Sequence, residues 1–281
     1  MTLLLATLCL FLVQDDKTYD LKFDRKPAVG DKAEMTEDFS QSLKMTITAG
    51  GKTVKEESQN ESRSFKGVQL VSKVADGQWT EASWTFAKAT HVVEGKDVAY
   101  GFEGKSVKVT MKDGVRDFAT EDGAAITPED LKGLRAAFGA KRGQGGTGWQ
   151  PKKPVKIGES WTPDIDDIIK SMGDGMAIDP KTAKGTMTLK SVEKREGRDF
   201  ARVVGTIEME ATKLGPLDLG KPLPLVMEID SDFCYEAGAI DGSLKMIFAA
   251  KGTSPVTSDG QEFEVTLDMK VEGNGIKKAL K

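Results

Sequence analysis

The chain has 281 residues, with 40 basic and 44 acidic side chains and a formal net charge of −4, a length that buries a sizeable core as one large domain or two ordinary ones. Its mildly acidic, well-mixed charge excludes a dedicated nucleic-acid binder, which presents a basic face. One histidine, His91, excludes a site built on several imidazoles, and two cysteines exclude zinc ribbons and disulfide scaffolds.

Residues 2–13, from Thr2 to Val13, carry no charge. The run is too short for a membrane-spanning helix, which needs about 20 residues, but it fits the apolar stretch of a secretory signal. No Lys or Arg precedes it and no small-x-small cleavage site follows. Leu8 ahead of Cys9 does not suit a lipobox. Residues 1–14 are read as a signal-like segment, and the protein as exported to the periplasm or the extracellular space with no stable transmembrane span. Cys234 is then the only thiol of the mature chain, and an inert, half-buried role suits it.

From Ala33 onward the pattern alternates. Met35, Phe39, Leu43, Met45 and Ile47 share one parity, and Glu34, Thr36, Asp38, Ser40, Ser42, Lys44 and Thr46 share the other, which predicts a long half-buried strand. Ala49-Gly50-Gly51-Lys52 reads as a hairpin turn. Val68, Leu70 and Val74 predict the buried end of the next strand, and Asp76-Gly77 turns the chain into Ala82, Trp84 and Phe86. Val107, Val109 and Met111 lead to Asp113-Gly114, a two-residue hairpin loop.

Two helices are predicted, each opening with Thr-Pro. Thr127-Pro128-Glu129-Asp130 supplies a cap, a first-position proline and early acids ahead of Leu131, Leu134, Ala137 and Phe138. Thr162-Pro163-Asp164 does the same ahead of the stripe Ile165, Ile168, Ile169 and Met172. Gly139 to Pro154 between them is rich in Gly, Lys and Pro and reads as a surface linker.

The remaining strands follow in the same style. Met187 and Leu189 reach a turn at Arg195-Glu196-Gly197-Arg198, and Ala201, Val203, Ile207 and Met209 return. Leu225, Met227, Ile229, Phe233 and Tyr235 form the next strand, Leu244, Met246 and Phe248 the one after it. Phe263, Val265, Leu267, Met269 and Val271 close the series. Short connections imply an antiparallel meander. Pro27-Ala28-Val29-Gly30-Asp31 is echoed by Val155-Lys156-Ile157-Gly158-Glu159, either by duplication or by coincidence. The organisation is thus an N-terminal half over residues 15–139, a linker over 140–153 and a C-terminal half over 154–281, the two halves forming one domain.

With only two short helices to cover it, the apolar face must curl, pack as two sheets or cup the helices. Met35, Met45, Met111, Met187, Met209, Met227, Met246 and Met269 all lie on that face. Methionine is flexible and polarizable and suits surfaces that adapt to variable partners. A curled, Met-lined sheet predicts a cavity for a lipid or other apolar molecule, with Met187, Met209, Met227, Met246 and Met269 as the candidate ligand-binding residues. An ordinary packed core is the alternative use of the same side chains.

Catalytic signals are weak. His91 falls on the parity opposite Trp84 and Phe86, which places it at the surface, and no Gly-x-Ser-x-Gly elbow presents a serine to it. Gly143-Gln144-Gly145-Gly146-Thr147-Gly148 follows a helix and lacks the Lys-Ser/Thr ending of a phosphate loop. The basic stretch Lys141, Arg142, Lys152, Lys153 and Lys156 around Trp149 reads as a solvated loop or a contact for anionic headgroups. Asp164, Asp166, Asp167, Asp174 and Asp179 do not match a calcium loop. Asn60-Glu61-Ser62 is a glycosylation sequon, meaningful only in a eukaryotic secretory pathway. No catalytic residue, metal site or cofactor is expected.

The signal-like start, Val29-Gly30-Asp31 ahead of a long strand, and Pro154-Val155-Lys156-Ile157-Gly158-Glu159-Ser160-Trp161 resemble a class of uncharacterised exported bacterial β-rich proteins over most of residues 19–273. The architecture is also similar to lipoprotein-carrier half-barrels of the LolA and LppX kind, where a curved sheet and helices hold acyl chains. That second likeness is architectural and transfers no binding residues. The expectation is a mainly β protein, an antiparallel meander forming a curved sheet or open half-barrel with two short amphipathic helices. Its expected role is non-enzymatic, binding a hydrophobic or amphiphilic ligand in the cell envelope. The alternative is a structural or protein-interaction module with a packed core, whose partner would be another envelope protein.

Overall fold

The computed structural model describes residues 17–22, 26–93, 95–112, 115–138, 147–171, 176–214, 217–236, 241–258 and 260–280. The signal-like segment, the Asp113-Gly114 turn, Met172, Asp174 and the glycines at 143, 145 and 146 lie outside the described residues. The elements in chain order are β1 (Lys32–Ala49), β2 (Lys52–Ala75), β3 (Gln78–Val93), β4 (Lys96–Ala99), β5 (Ser106–Lys112), β6 (Val115–Thr120), α1 (Pro128–Phe138), β7 (Ser160–Trp161), α2 (Ile165–Ser171), β8 (Met176–Ile178), β9 (Lys184–Arg195), β10 (Arg198–Leu214), β11 (Leu217–Cys234), β12 (Gly242–Ser258) and β13 (Gln261–Ala279).

The strands form one antiparallel sheet in the order β6-β5-β3-β2-β1-β13-β12-β11-β10-β9-β7, with β4 beside β3 and β8 beside β10. The order does not return to its start, so the sheet is open. The last strand comes back to the first, with Ala33 opposite Ala279 and Thr48 opposite Glu264, so β1 and β13 lie at the centre.

Each side of that centre has its own core on the same face. Phe65, Trp84, Phe86, Tyr100, Phe102, Val107, Val109 and Leu134 form one. Their rings pack edge-on and stacked, with Phe86 and Phe102 centroids 4.8 Å apart and Tyr100 and Phe102 5.1 Å apart. The α1 helix is pinned to this core through its cap. The Thr127 hydroxyl accepts the Asp130 N–H at 3.1 Å and donates to the Asp130 carboxylate at 2.8 Å, while that carboxylate also accepts the Gly101 N–H at 2.6 Å. At Gly133 the Tyr100 ring occupies the space a side chain would need.

The second core holds Met187, Leu189, Val203, Ile207, Leu223 and Leu225, covered by Tyr19, Leu21, Val155 and Ile168. Residue 165 begins α2, and its cap is Asp164, whose Oδ1 accepts the Asp167 N–H at 3.2 Å. The predicted cap at Thr162 is corrected by two residues, because Pro163 is buried against the sheet at Gly185 and the helix turns only after it.

The sequence echo has matching geometry. Gly30 and Gly158 adopt φ of +90° and +83°, a region open to glycine. The Ala28 N–H donates to the Asp31 carboxylate at 2.6 Å, and the Lys156 N–H donates to the Glu159 carboxylate at 2.9 Å. The Gly30 N–H reaches the Val71 carbonyl at 2.9 Å, and the Gly158 N–H reaches that of Leu189 at 2.7 Å. The hairpins that follow both turn on an acid–glycine pair at positive φ, Asp76-Gly77 and Glu196-Gly197. The two halves of the sheet therefore begin with the same device.

Two parity expectations are corrected. In β2 the buried residues are Phe65, Gly67, Gln69 and Val71, and Leu70 is exposed. In β3 the register shifts between Lys66 and Gly67, so that Lys88 and Phe86 face consecutive residues of β2 and Ala87 is extra. That bulge carries Ala89 and His91 onto the face of Trp84 and Phe86. His91 is half-buried, its ring centroid 4.4 Å from that of Tyr100, and its Nδ1 is buried without a hydrogen-bond partner.

Candidate functional site

Between the two cores the apolar face opens into a trough of about 1160 Å³. Its lining comes from β3 (Trp79), β1 (Met35 and Glu37), β13 (Gly275 and Lys277), β12 (Leu244), β11 (Ser231, Phe233 and Cys234) and the segment Lys17–Lys22. The floor exists because of glycine. Gly273 and Gly275 are successive inward positions of β13, opposite Phe39 and Glu37 of β1 and Met246 and Leu244 of β12. A Cβ built on either meets nothing within 4 Å. Gly67, on the same face in β2, is glycine for the opposite reason, since a Cβ there would stand 2.5 Å from the Thr85 carbonyl oxygen.

One end wall is fastened by Asp241. Its carboxylate accepts Arg198 Nη1 at 2.6 Å and the Ala279 N–H at 3.1 Å, and its carbonyl accepts the Cys234 N–H at 2.9 Å. Burial pushes the Asp241 carboxyl up, but the Arg198 guanidinium and the Ala279 N–H outweigh it and hold it below the ordinary aspartate range. Tyr19 and Tyr235 meet edge to face at 6.3 Å beside this wall. Burial, with Asp199 and Tyr19 adding to it, pushes the Tyr235 hydroxyl up to about 12, so the phenol stays protonated.

The inward positions of β1, β12 and β13 hold two ionisable groups, Glu37 and Lys277. The Lys277 ammonium donates to the Gln69 Oε1 at 2.9 Å, which accounts for that glutamine being buried on an apolar face. Burial drives the Glu37 carboxyl above the ordinary glutamate range, with the Lys277 charge working against it. Beyond Gly273 the same face continues through Leu43, Met45, Met246, Phe248 and Met269, all half-buried against the second core. The trough itself joins a polar corner at Glu37 and Lys277 to apolar walls from Met35, Trp79, Phe233 and Leu244.

The five methionines singled out in the sequence lie on one face of adjacent strands, β9 to β13. Met187, Met209 and Met227 are 2–4% exposed inside the second core. Met246 and Met269 pack against that core from its rim, and none of the five lines the trough, where Met35 stands instead. The residues that shape the trough are Gly275, Glu37, Lys277 and Trp79. Their signal in the sequence is an interruption: Gly275, with Gly273 before it, and two charges on parities that are apolar at most other positions.

The acidic residues around α2 have backbone duties. Asp164 caps the helix, Asp167 accepts the Gly148 N–H at 2.7 Å and Asp179 accepts the Lys181 N–H at 3.0 Å. Among the described residues no group of three or more His, Cys, Asp or Glu is placed to hold a metal ion. His91 lines a separate cavity of about 220 Å³ with Tyr100, Arg63 and Glu61, away from Cys234 in the trough. No described helix is long and apolar enough to cross a membrane.

No family model matches the chain, and no curated protein matches it. Among solved structures, the outer membrane protein OprG from Pseudomonas aeruginosa aligns over 92% of this chain and 100% of its own at 7% identity, with a TM-score of 0.25. A likeness of that size carries no argument about fold or function.

Proposed function

We propose that the protein is an exported, non-catalytic component of the cell envelope that holds an amphiphilic ligand, such as a lipid, in the trough over Gly275, beside the open space at Gly273. The observation that carries this reading is the open space above those two inward glycines. A core strand gains from filling such positions, because glycine weakens a strand and contributes no packing. Leaving them empty beside half-buried apolar side chains suits a ligand that completes the core. Pockets of this kind, apolar with a few placed polar groups, are the usual form of small-molecule sites.

A packed module that recruits a protein draws support from the two cores, each complete on its own side of the centre. The readings part on one experiment. The mature chain, purified from its host without detergent, is extracted with organic solvent and the extract is examined by mass spectrometry. A stoichiometric amphiphile is the expected result. A clean extract, repeated after incubation with envelope lipids, would leave the packed module as the better account.

A further inference from the structure

The polar corner of the trough has a chemistry that narrows the ligand. Glu37 faces Gly275 across the β1–β13 ladder and Met35 faces Lys277, so Glu37 and Lys277 are diagonal neighbours on the inward face. Diagonal cross-strand neighbours stand roughly 7–8 Å apart, wide enough for a small anionic group to sit between them above Gly275. No other inward position of the three central strands is ionisable, so on the strand floor of the trough a charged head meets Glu37 and Lys277, and its chain lies along Met35, Trp79, Phe233 and Leu244.

Resting on the function proposed above, we infer that the ligand is an aliphatic carboxylic acid of the fatty-acid kind, its carboxylate held between Lys277 and Glu37. The ammonium offers up to three donors and can serve the ligand while keeping Gln69. The Glu37 carboxyl takes the other side of the head. It already lies above the usual glutamate range through burial, and an arriving carboxylate raises it further, because two like charges at one site disfavour each other's ionisation. The two carboxyl groups then share one proton, with Glu37 as donor. One ammonium and one shared proton balance the two carboxylates, Glu37 and the ligand's, which suits a carboxylate better than a phosphate dianion. No covalent step is involved.

The test uses the full mature chain and three probes of one chain length: a saturated fatty acid, the corresponding primary alcohol and the corresponding primary amine. Each is titrated by displacement of a fluorescent acyl probe. The acid is expected to bind tightest, by roughly tenfold or more over the alcohol, as one charge-assisted contact implies. In Lys277→Met that preference disappears and alcohol binding stays. Lys277→Arg retains the preference and guards against a merely structural effect of losing the Gln69 bond, and Glu37→Gln retains it because an amide still donates. Equal binding of acid and alcohol to the unmodified protein, or a preference for the amine, would overturn the assignment of the head while leaving the trough reading intact. Failure of all three probes to bind would remove the trough reading and this inference together.

Discussion

Replacing Gly275 with tryptophan is expected to weaken ligand binding by about a hundredfold and leave the fold intact. The two halves of this expectation have separate causes. The site is inward, central and empty: a Cβ at position 275 meets nothing within 4 Å, and its neighbours Glu37, Lys277 and Leu244 line the trough. An indole there fills the space that the ligand's head and first methylenes need. Loss of affinity on the order of a hundredfold, near 3 kcal/mol, is the expected size. Stability moves the other way, because a strand interior is destabilised by glycine by about 0.5–1 kcal/mol relative to alanine. The check is a titration with a fluorescent acyl probe beside a denaturant melt. Unchanged affinity with the indole in place would mean that the ligand, if there is one, lies elsewhere.

The second large effect concerns stability. Phe86→Ala is expected to destabilise the protein by about 3–5 kcal/mol, the usual range for removing a buried aromatic ring. Phe86 is 2% exposed and packs against Phe65, Trp84 and Phe102, with centroids 6.3, 6.3 and 4.8 Å away. The surrounding rings are held by strands on one side and by Tyr100 against α1 on the other, so little collapse can fill the void. Variants keeping only Trp84 or only Trp161 report on the two halves separately. Both reporters are expected to shift together, because the β1–β13 ladder runs through the middle of the sheet from Ala33 to Thr48. A shift confined to the Trp84 reporter would mean that the halves unfold independently.

The alternation in β1, β12 and β13 was legible because those strands are long, central and half-buried on one face, so period two is imposed along their length. The antiparallel sheet and the α1 cap followed from local chemistry for the same reason. The face of β2 was not legible. Its inward residues include Gln69, Arg63 and Glu61, polar groups that serve Lys277 or the Tyr100 region, while Val68 and Leu70 point outward; hydrophobicity alone selects the wrong parity there. His91 was misplaced by one extra residue, Ala87, which nothing in the local sequence marks as a bulge. The methionines were correctly assigned to one face, but a sequence pattern does not separate a side chain that packs from one that lines a void. That distinction depends on what lies across from it. Met187 fills the space over Gly205, whereas nothing fills the space over Gly275.

Trp79 offers the most direct test of where a ligand sits, since it lines the trough while Trp84 lies in the first core and Trp149 and Trp161 pack on the second. The measurement is quenching of tryptophan fluorescence by a fatty acid carrying bromine along its chain, compared between the unmodified protein and Trp79→Phe. The account predicts saturable quenching that is largely lost in Trp79→Phe and absent in Gly275→Trp. Saturable quenching that persists undiminished in both variants would place the acyl chain outside the trough and contradict the account.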